Sequence, residues 1–539
     1  MTKRIAMSDY EQAAGDFRWE IPKSFNFGAD VVDALARDPD HLAMICLDAE
    51  GRERRFTFRD VSEQSNRLAN ALNRLGVRKG DRVLVALPRI PEWQLTMVAC
   101  LKCGAIPIPC VEMLTERDLA YRVEHADARA VITTAENTAK LDRVADCLVR
   151  IAVGAAPGWE DLDALLETES ADYTPVRLGA DEPAILYYTS GSSGHPKGVT
   201  HAARALYAWR VSAWHWLDLT EQDLMWCTAD TGWSKAGTSI LFGPWSCGTP
   251  VLFYNGPFDP QHRLKLLRDY GVTVFCAAAT ELRRLLNEDL DRSQYPRLRL
   301  TVSAGESVNP AVVNSWQQAM GTPLLDGYGQ TETLMTVLNF KVMPVKPGSM
   351  GRALPGTHAA VLLDDQDALA PADTPGRLVI GLPNPQIMLG YWNDPERTAA
   401  SRVQVDGMEY FVTGDRAVMD ADGYLFYQGR DDDLINASGY RIGPLEVENV
   451  LMEHPAVQEC AVVPSPDAER GEVVKAFVVL RAGYKAGDAL VSELQQHAKS
   501  LTAPYKYPRK IAFIDELPKT PTGKIRRKVL REQEFAGAN

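Results

Sequence analysis

The sequence predicts an α/β protein with largely parallel sheets, and three features of the chain carry that prediction. Short apolar segments typical of buried strands alternate with helical patterns through the first 430 residues. The chain has 539 residues, which is too many for a single hydrophobic core. A polar run at 429–433 separates this large part from a shorter tail. We therefore expect a large N-terminal domain over 1–430 and a mobile α+β C-terminal domain over 431–539.

Helices and strands of the large domain follow from the apolar pattern. Helices are expected at 92–103 and at 280–289, where Thr280 would be the N-cap, and a further helix is expected to begin near Pro310. The stretch 376–427 is rich in short strands and Gly/Asp turns, so we expect a small β-rich subdomain there. The predicted strands, all short and apolar, are 82–87, 184–188, 223–227, 272–276 and 298–303.

The tail after the polar run reads as one compact unit. Strands are expected at 457–463 and 473–480, and helices at 445–452 and 490–500. The unit has about 110 residues, which is near the usual domain size. Asp432 lies in the polar run between the two domains, and we expect the hinge there.

Composition excludes several classes of function. The net charge of −13 argues against a general nucleic-acid binder, which is usually basic. No apolar run reaches the roughly 18 residues of a membrane span, and the first residues show no apolar signal core. We therefore expect a cytoplasmic protein without integral membrane association, whose nine scattered cysteines are reduced thiols. Cys100 and Cys103 match CxxC, but they lie in a predicted apolar helix, so we expect core packing rather than redox or zinc chemistry.

The most informative motif is the loop at 189–198, which follows the apolar run 184–188. It contains three glycines, four hydroxyl side chains and a lysine, Lys197. Glycine lets backbone N–H groups approach an anion, hydroxyls add donors, and lysine supplies a charge suited to phosphate. The loop is not a Walker A motif, because Pro196 precedes the lysine and Gly198 follows it where Ser or Thr is required. It predicts a nucleotide triphosphate site outside the P-loop class.

Six further motifs follow this loop along the chain. They are Ala304-Gly305-Glu306, DGYGQTE at 326–332, TGD at 413–415, YQGR at 427–430, SGYRI at 438–442 and PKTPTGK at 518–524. In this order and spacing the seven motifs resemble those of the adenylate-forming superfamily, which contains acyl-CoA synthetases, nonribosomal peptide adenylation domains and luciferases. The resemblance runs from about residue 55 to residue 530. Segments 447–457, 470–480 and 502–510 are similar to medium-chain acyl-CoA synthetases in particular.

The resemblance implies a reaction in two steps. A carboxylate attacks the α-phosphorus of ATP, which gives an acyl-adenylate and pyrophosphate, and the thiol of coenzyme A then displaces AMP. Because the substrates supply both nucleophiles, the protein has to position polyanions and neutralise developing charge. The acid is expected to be a medium-chain, short branched or aromatic carboxylic acid.

The resemblance also implies roles for the motif residues. The residues expected in catalysis are Thr189, Lys197, Glu332 and Lys524. Glu332 would bind Mg²⁺ together with phosphate oxygens and waters, and Lys524 would bridge the carboxylate and the α-phosphate. The remaining nucleotide contacts are expected at Ser190, Gly191, Ser192, Ser193 and Gly194 for the phosphates, at Gly305, Glu306, Asp326, Gly327 and Tyr328 around adenine, at Thr331 for the α-phosphate, and at Asp415 and Arg430 for the ribose.

Coenzyme A and the acyl group are expected at other parts of the same site. The acyl group would lie against Trp233 and Gly327, although a tryptophan at this position also fits plain packing. The segment 234–240 would border the acyl pocket, and it differs from the animal medium-chain acyl-CoA synthetases. The resemblance therefore does not predict the chain length of the acid. Coenzyme A would contact a set of residues on the small domain: Ser438, Gly439, Arg441, Arg470, Lys499 and Tyr507.

Two other functions stay open on the sequence. A stand-alone adenylation enzyme would load a carrier protein, but no carrier segment follows Lys524 in this sequence. A catalytically inactive nucleotide-binding regulator would be expected to have lost Lys524, Glu332 or Asp415, and all three are present. The expected protein partners are a second copy in a homodimer and a lysine acetyltransferase that acts on Lys524.

Overall fold

The computed structural model describes residues 7–142, 149–189, 196–364, 366–437, 440–467, 471–502, 506–519 and 525–536. Within these ranges the strands form five sheets, and parallel pairs dominate the two that build the large domain. The predicted α/β class is thereby confirmed. No helix in the described ranges is long and apolar enough to cross a bilayer.

The largest sheet has nine strands, and parallel pairs form its centre. Antiparallel strands close it at both edges. In spatial order its strands are β16 (Arg352–Ala353), β15 (Leu334–Leu338), β14 (Leu324–Gln330), β13 (Leu300–Ala304), β12 (Val274–Cys276), β10 (Met225–Cys227), β11 (Val251–Asn255), β1 (Leu42–Asp48) and β2 (Glu53–Thr57).

The large domain also contains a five-stranded sheet and a three-stranded sheet. The first is parallel throughout and the second is antiparallel. In spatial order they are β4 (Ile106–Pro109), β3 (Arg82–Ala86), β5 (Ala128–Thr134), β6 (Val149–Val153) and β7 (Glu160–Asp161), and then β19 (Gly390–Tyr391), β9 (Lys197–Ala202) and β8 (Pro183–Thr189).

The last two sheets lie in the second half of the chain. The first is wholly antiparallel and confirms the predicted β-rich subdomain. The second begins just after Asp431–Asp433. Their strands are β17 (Ala359–Leu362), β18 (Gly376–Leu382), β21 (Met408–Met419), β20 (Arg402–Val405) and β22 (Leu425–Arg430), and then β24 (Tyr440–Ile442), β23 (Ile435–Ala437), β26 (Gly471–Leu480), β25 (Val457–Asp467) and β27 (Lys510–Phe513).

Helices cover the faces of these sheets. In chain order they are α1 (Tyr10–Asp16), α2 (Phe58–Arg74), α3 (Pro91–Cys103), α4 (Glu116–Ala126), α5 (Leu162–Thr168), α6 (Ala203–Ala208), α7 (Arg210–His215), α8 (Ser234–Ala236), α9 (Phe242–Ser246), α10 (Pro260–Asp269), α11 (Ala279–Leu285), α12 (Pro310–Met320), α13 (Pro395–Ala400), α14 (Pro444–Met452), α15 (Asp488–Leu501) and α16 (Arg527–Ala536).

The predicted starts of two helices have different outcomes. Pro310 is the first residue of α12, as expected, and the side chain of Asn309 accepts from the N–H of Ala311. The prediction that Thr280 caps α11 is wrong, because the helix begins at Ala279. The backbone N–H and hydroxyl of Thr280 instead donate to the carboxylate of Glu306, at 2.7 and 3.0 Å.

Helix α3 is buried on every side, which accounts for its unbroken apolar pattern. Cys100 and Cys103 are packed in the core of the large domain and are free thiols, so the expectation of a packing role is confirmed. Lys102 is also fully buried, and its ammonium donates to Asp33 and Asn66, both at 2.6 Å. A buried charge on this helix is thus balanced by a carboxylate and an amide oxygen.

The parallel strands of the large sheet position the site. Strands β10, β12, β13 and β14 run side by side, so their carboxyl ends meet at one edge of the sheet. In open parallel sheets this edge is where ligands bind, because the loops after the strands diverge there. The predicted motifs after β13 and along β14 are therefore brought together by topology.

Candidate active site

A cavity of about 2960 Å³ opens at this edge of the sheet. It is lined by residues from the large sheet, the β-rich subdomain and the C-terminal region. Twelve residues that the sequence singled out line it together: Thr189, Lys197, Trp233, Gly305, Glu306, Asp326, Gly327, Tyr328, Thr331, Glu332, Asp415 and Arg430.

The other predicted site residues divide into three groups, of which Lys499 and Tyr507 are the last. Nine lie outside the described residues: Ser190, Gly191, Ser192, Ser193, Gly194, Ser438, Gly439, Arg470 and Lys524. For two more, only the backbone is described, with Asp432 in the turn Asp431–Asp433 and Arg441 in β24.

Lys499 and Tyr507 form a pair away from the cavity lining. The ammonium of Lys499 lies 4.2 Å from the centre of the Tyr507 ring. Neither residue is among those that line the cavity. Their role in coenzyme A binding stays a prediction.

Asp415 is the most heavily contacted carboxylate of the site. Its Oδ2 accepts from the hydroxyl of Tyr328 at 2.6 Å and from the amide of Gln330 at 2.5 Å. Its Oδ1 accepts from the hydroxyl of Tyr427 at 3.3 Å and lies 3.5 Å from Nε of Arg430. Burial raises the pKa of Asp415, and the Arg430 guanidinium opposes that rise. The Asp415 carboxylate, which lines the cavity, is thus held in a fixed orientation by these donors.

Asp326 occupies a different environment on β14. It accepts from the backbone N–H groups of Gly327 at 2.9 Å and Val308 at 3.3 Å. Burial raises the pKa of Asp326 to about 8. Between β13 and β14, Gly305 has a φ of +96°, which suits glycine. Asp326, Gly327 and Gly305 thus lie together on the cavity wall at the carboxyl end of β13.

Glu332 and Lys197 meet at Tyr391, a residue that sequence reasoning missed. The hydroxyl of Tyr391 donates to Oε1 of Glu332 at 3.0 Å, and Nζ of Lys197 lies 5.1 Å from the centre of its ring. Burial, then the charge of Glu332, raises the pKa of Tyr391, so its hydroxyl stays a donor. Thr189 is paired with Lys197 across β8 and β9.

His201 is a second residue that the motifs did not reveal. Its Nε2 donates to the carbonyl oxygen of Thr331 at 2.7 Å. Burial lowers the pKa of His201 to about 4, so the imidazole is neutral near pH 7. The Thr331 hydroxyl also lies 3.4 Å from the hydroxyl of Ser234. Thr331, directly before Glu332, is thus held through both its main-chain carbonyl and its side-chain hydroxyl.

The expected acyl end of the cavity has a polar wall. Nζ of Lys235, two residues after Trp233, donates to the carbonyl of Ala304 at 3.0 Å. Burial acts to lower the pKa of Lys235, but the neighbouring Cys276 and other groups outweigh it, so the pKa is raised. Gly327 is the strand partner of Ala304, and a Cβ at Gly327 would lie 2.6 Å from a methyl group of Leu338.

Glu332 offers one carboxylate for a metal ion at this site. Within the described ranges, no three His, Cys, Asp or Glu side chains are grouped so that they could hold one. Glu332 is 8% exposed, lines the cavity and has a second carboxylate oxygen besides the one that Tyr391 contacts. One carboxylate combined with phosphate oxygens and waters is the coordination that Mg²⁺ commonly adopts.

Comparisons with known proteins agree with this geometry. The AMP-binding enzyme family matches residues 31–392, and the C-terminal domain of AMP-binding enzymes matches 446–524. The chain is 40% identical to acyl-coenzyme A synthetase ACSM3, mitochondrial, of Homo sapiens, over 98% of this chain and 93% of that protein.

Solved structures show the same similarity. The acyl-CoA synthetase of Brucella canis is 32% identical, with a TM-score of 0.75, over 99% of this chain and 100% of that one. The anthranilate CoA ligase AuaEII, in complex with anthranoyl-AMP, is 29% identical, with a TM-score of 0.86, over 97% and 99%. The resemblance predicted from the seven motifs is confirmed, and the chain belongs to the AMP-binding enzyme family.

Proposed function

We propose that the protein is an acyl-CoA synthetase, an AMP-forming ligase that joins a carboxylic acid to coenzyme A at the expense of ATP. The observation that carries the proposal is the cavity itself. It brings together Lys197, Glu332 and Asp415, the residues that we propose hold the phosphates, Mg²⁺ and the ribose. Matches to acyl-CoA and CoA ligases over nearly the whole chain support the same activity.

The first step needs two kinds of charge compensation. Lys197 would hold the β- and γ-phosphates as a point charge, and Thr331 would contact the α-phosphate. Mg²⁺, bound by Glu332 and phosphate oxygens, would neutralise part of the triphosphate. Lys524 would approach the carboxylate and the α-phosphate as negative charge builds up between them.

The nucleoside end is proposed to bind at the opposite side of the cavity. Asp415 would accept from both ribose hydroxyls, which suits an acceptor-only carboxylate. In the free protein its oxygens are occupied by Tyr328, Gln330 and Tyr427, so we infer that the ribose displaces the longer contact from Tyr427. Adenine would then lie between Tyr328 and the backbone at Gly305.

The second step is proposed to use the C-terminal region. The polyanionic end of coenzyme A would meet Arg441, Arg470, Lys499 and Tyr507, while Ser438 and Gly439 would lie beside the pantetheine thiol. The domain division at 430/431 and the hinge at Asp432 belong to this proposal, because one site must present different groups in the two steps.

The acid is proposed to be a medium-chain, short branched or aromatic monocarboxylate. Trp233 offers an apolar face, while Gly327 leaves no space beside Leu338. Discrimination by one methylene in such a pocket is worth only about 1–3 kcal/mol, so related acids are expected to compete. The cytoplasmic location, the homodimer and the acetylation of Lys524 stay predictions.

The test is a panel assay of coenzyme A-dependent AMP release. Straight acids from C2 to C12, branched acids and benzoic acids would be supplied with ATP, Mg²⁺ and either coenzyme A or a phosphopantetheinylated carrier protein. AMP release and thioester formation with coenzyme A are expected for at least one acid. Thioester formed on the carrier protein alone would favour the carrier-loading alternative, and no acid-dependent AMP release would favour an inactive regulator.

A further inference from the structure

Tyr391 connects the two residues that are proposed to handle the triphosphate. Its hydroxyl donates to Oε1 of Glu332 at 3.0 Å, while Nζ of Lys197 lies 5.1 Å from the centre of its ring. One side chain thus contacts the proposed metal ligand with its polar end and faces the proposed phosphate ligand with its aromatic ring. All three side chains line the cavity.

The backbone fixes this arrangement. Strand β19 pairs antiparallel with β9, and Tyr391 is opposite Val199, two residues from Lys197. The N–H of Trp392 donates to the carbonyl of Gly198 at 2.7 Å, and the N–H of Met388 donates to the carbonyl of Glu332 at 2.9 Å. The segment 388–392 is therefore hydrogen-bonded both to the strand of Lys197 and to the loop of Glu332. Any shift of this segment would move the two ligands relative to each other.

Plain packing would explain a tyrosine at this position only in part. A packing tyrosine needs an acceptor for its hydroxyl, and a backbone carbonyl is sufficient for that purpose. Tyr391 instead uses the carboxylate that is proposed to bind the metal, and its ring faces a cation at a distance typical of cation–π contacts. The two contacts together favour a role in placing charged groups.

We propose that Tyr391 is a positioning residue that sets the separation between Lys197 and Glu332, and with it the path of the triphosphate between them. The inference rests on the proposed function. By holding Oε1, the hydroxyl directs the remaining carboxylate oxygen of Glu332 to Mg²⁺. By facing the ammonium, the ring keeps Lys197 in place for the phosphates. Tyr391 itself touches neither reacting atom.

Two variants separate the two contacts. Tyr391→Phe removes only the hydroxyl contact with Glu332, whereas Tyr391→Leu also removes the ring from Lys197. Tyr410→Phe is the matched control, because its hydroxyl lies 3.4 Å from His358 in the β-rich subdomain and is not part of the cavity lining. Each protein would be titrated with ATP in a calorimeter without acid, once in Mg²⁺ and once in EDTA, and melting curves would check the fold.

The expected pattern distinguishes positioning from packing. Tyr391→Phe should weaken ATP binding about tenfold in Mg²⁺ and leave it unchanged in EDTA, because the lost hydrogen bond to Glu332 affects ATP only through the metal that Glu332 is proposed to hold. Tyr391→Leu should weaken binding in both conditions. Thioester formation from preformed acyl-adenylate should stay within about twofold in both variants, because that step does not need the triphosphate.

Any other binding pattern overturns the inference, including equal losses with and without Mg²⁺ or unchanged binding in both variants. If Tyr391→Leu does not fold, Tyr391→Phe alone decides. The wild-type protein separates this result from the proposed function: absence of acid-dependent AMP release would reject the function, while the ATP titrations would still test Tyr391.

Discussion

Asp415 shows at the scale of one residue how burial and partners prepare a charge for a ligand. Its carboxylate is 4% exposed and is surrounded by donors. Asp415→Asn keeps the shape but leaves a single acceptor oxygen. We expect the KM for ATP to rise at least about tenfold, because hydrogen bonds to charged groups contribute about 1.5–3 kcal/mol each.

Initial rates against ATP concentration measure this effect. Asp367→Asn is the control, since Asp367 pairs with Arg377 on the surface. An ATP KM that is unchanged in Asp415→Asn would remove Asp415 from the nucleotide site.

Asp326 predicts a pH dependence of stability. Burial raises its pKa to about 8 in the folded protein, whereas the unfolded value is 3.8. Between these values the folded state holds a proton that the unfolded state has lost, so this group's contribution to the free energy of unfolding falls as pH rises, by up to about 1.4 kcal/mol per pH unit.

Asp326→Asn has no titrating group and should show a flatter profile between pH 5 and pH 8. Urea unfolding at several pH values compares the two proteins. Parallel profiles for wild type and Asp326→Asn would contradict the raised pKa.

Most of the proposed nucleotide ligands were predictable from the sequence because they lie in short contiguous motifs. Tyr391, His201 and Lys235 were not predicted as ligand-positioning residues, because tertiary contacts define their roles. Tyr391 is 59 residues from Glu332, and His201 is 130 residues from Thr331. A single sequence shows which residue types are present, but it does not show which distant strands are neighbours.

At the scale of elements, an ion pair with a buried carboxylate joins α14 and α16. Both guanidinium contacts of Arg527, at 3.0 and 2.6 Å, go to the carboxylate of Glu448, which also accepts from the N–H of Val462. Glu448→Gln would remove the carboxylate that the arginine contacts directly, so we expect a loss of about 2–3 kcal/mol in the stability of the C-terminal region.

Thermal and urea unfolding measure this loss, with proteolysis of the C-terminal region as the readout. Glu532→Gln is the control, because its partner Lys528 is exposed and such pairs contribute little. Equal stability of the two variants would show that the Glu448–Arg527 pair is dispensable.

Element predictions succeeded where burial produces a clear pattern. Helix α3 and strand β3 were predicted almost residue by residue, because both are buried and apolar. The predicted N-cap of α11 was wrong because Thr280 donates to the carboxylate of Glu306, which lies beyond the next strand. Local cap rules do not include a carboxylate that arrives from 26 residues away.

At the scale of the whole molecule, the proposed hinge predicts a kinetic phenotype. Asp432→Pro would fix φ near roughly −65° and hold one domain orientation. We expect the overall reaction to be lost, while adenylation is either largely kept or largely lost. Acid-dependent ATP–pyrophosphate exchange and acyl-CoA formation measure the two parts, and acyl-CoA formation at the wild-type rate would rule the hinge out.

Lys524→Ala tests the division of labour between the two steps. Loss of one preorganised charge contact commonly costs on the order of 10²–10³ in rate, and this lysine is proposed to act only in adenylation. We expect ATP–pyrophosphate exchange to fall by that amount, while thioester formation from preformed acyl-adenylate is spared. Equal losses in both steps would contradict the assignment.

The most direct test of acyl-CoA synthesis through an acyl-adenylate follows oxygen atoms. A substrate acid with both carboxylate oxygens labelled with ¹⁸O would be converted by the wild-type protein with ATP, Mg²⁺ and coenzyme A, and the products analysed by mass spectrometry. Attack of the carboxylate on the α-phosphorus, followed by thiol attack on the acyl carbon, should leave one ¹⁸O in AMP, one in acyl-CoA and none in pyrophosphate. Unlabelled AMP, or label in pyrophosphate, would contradict this route.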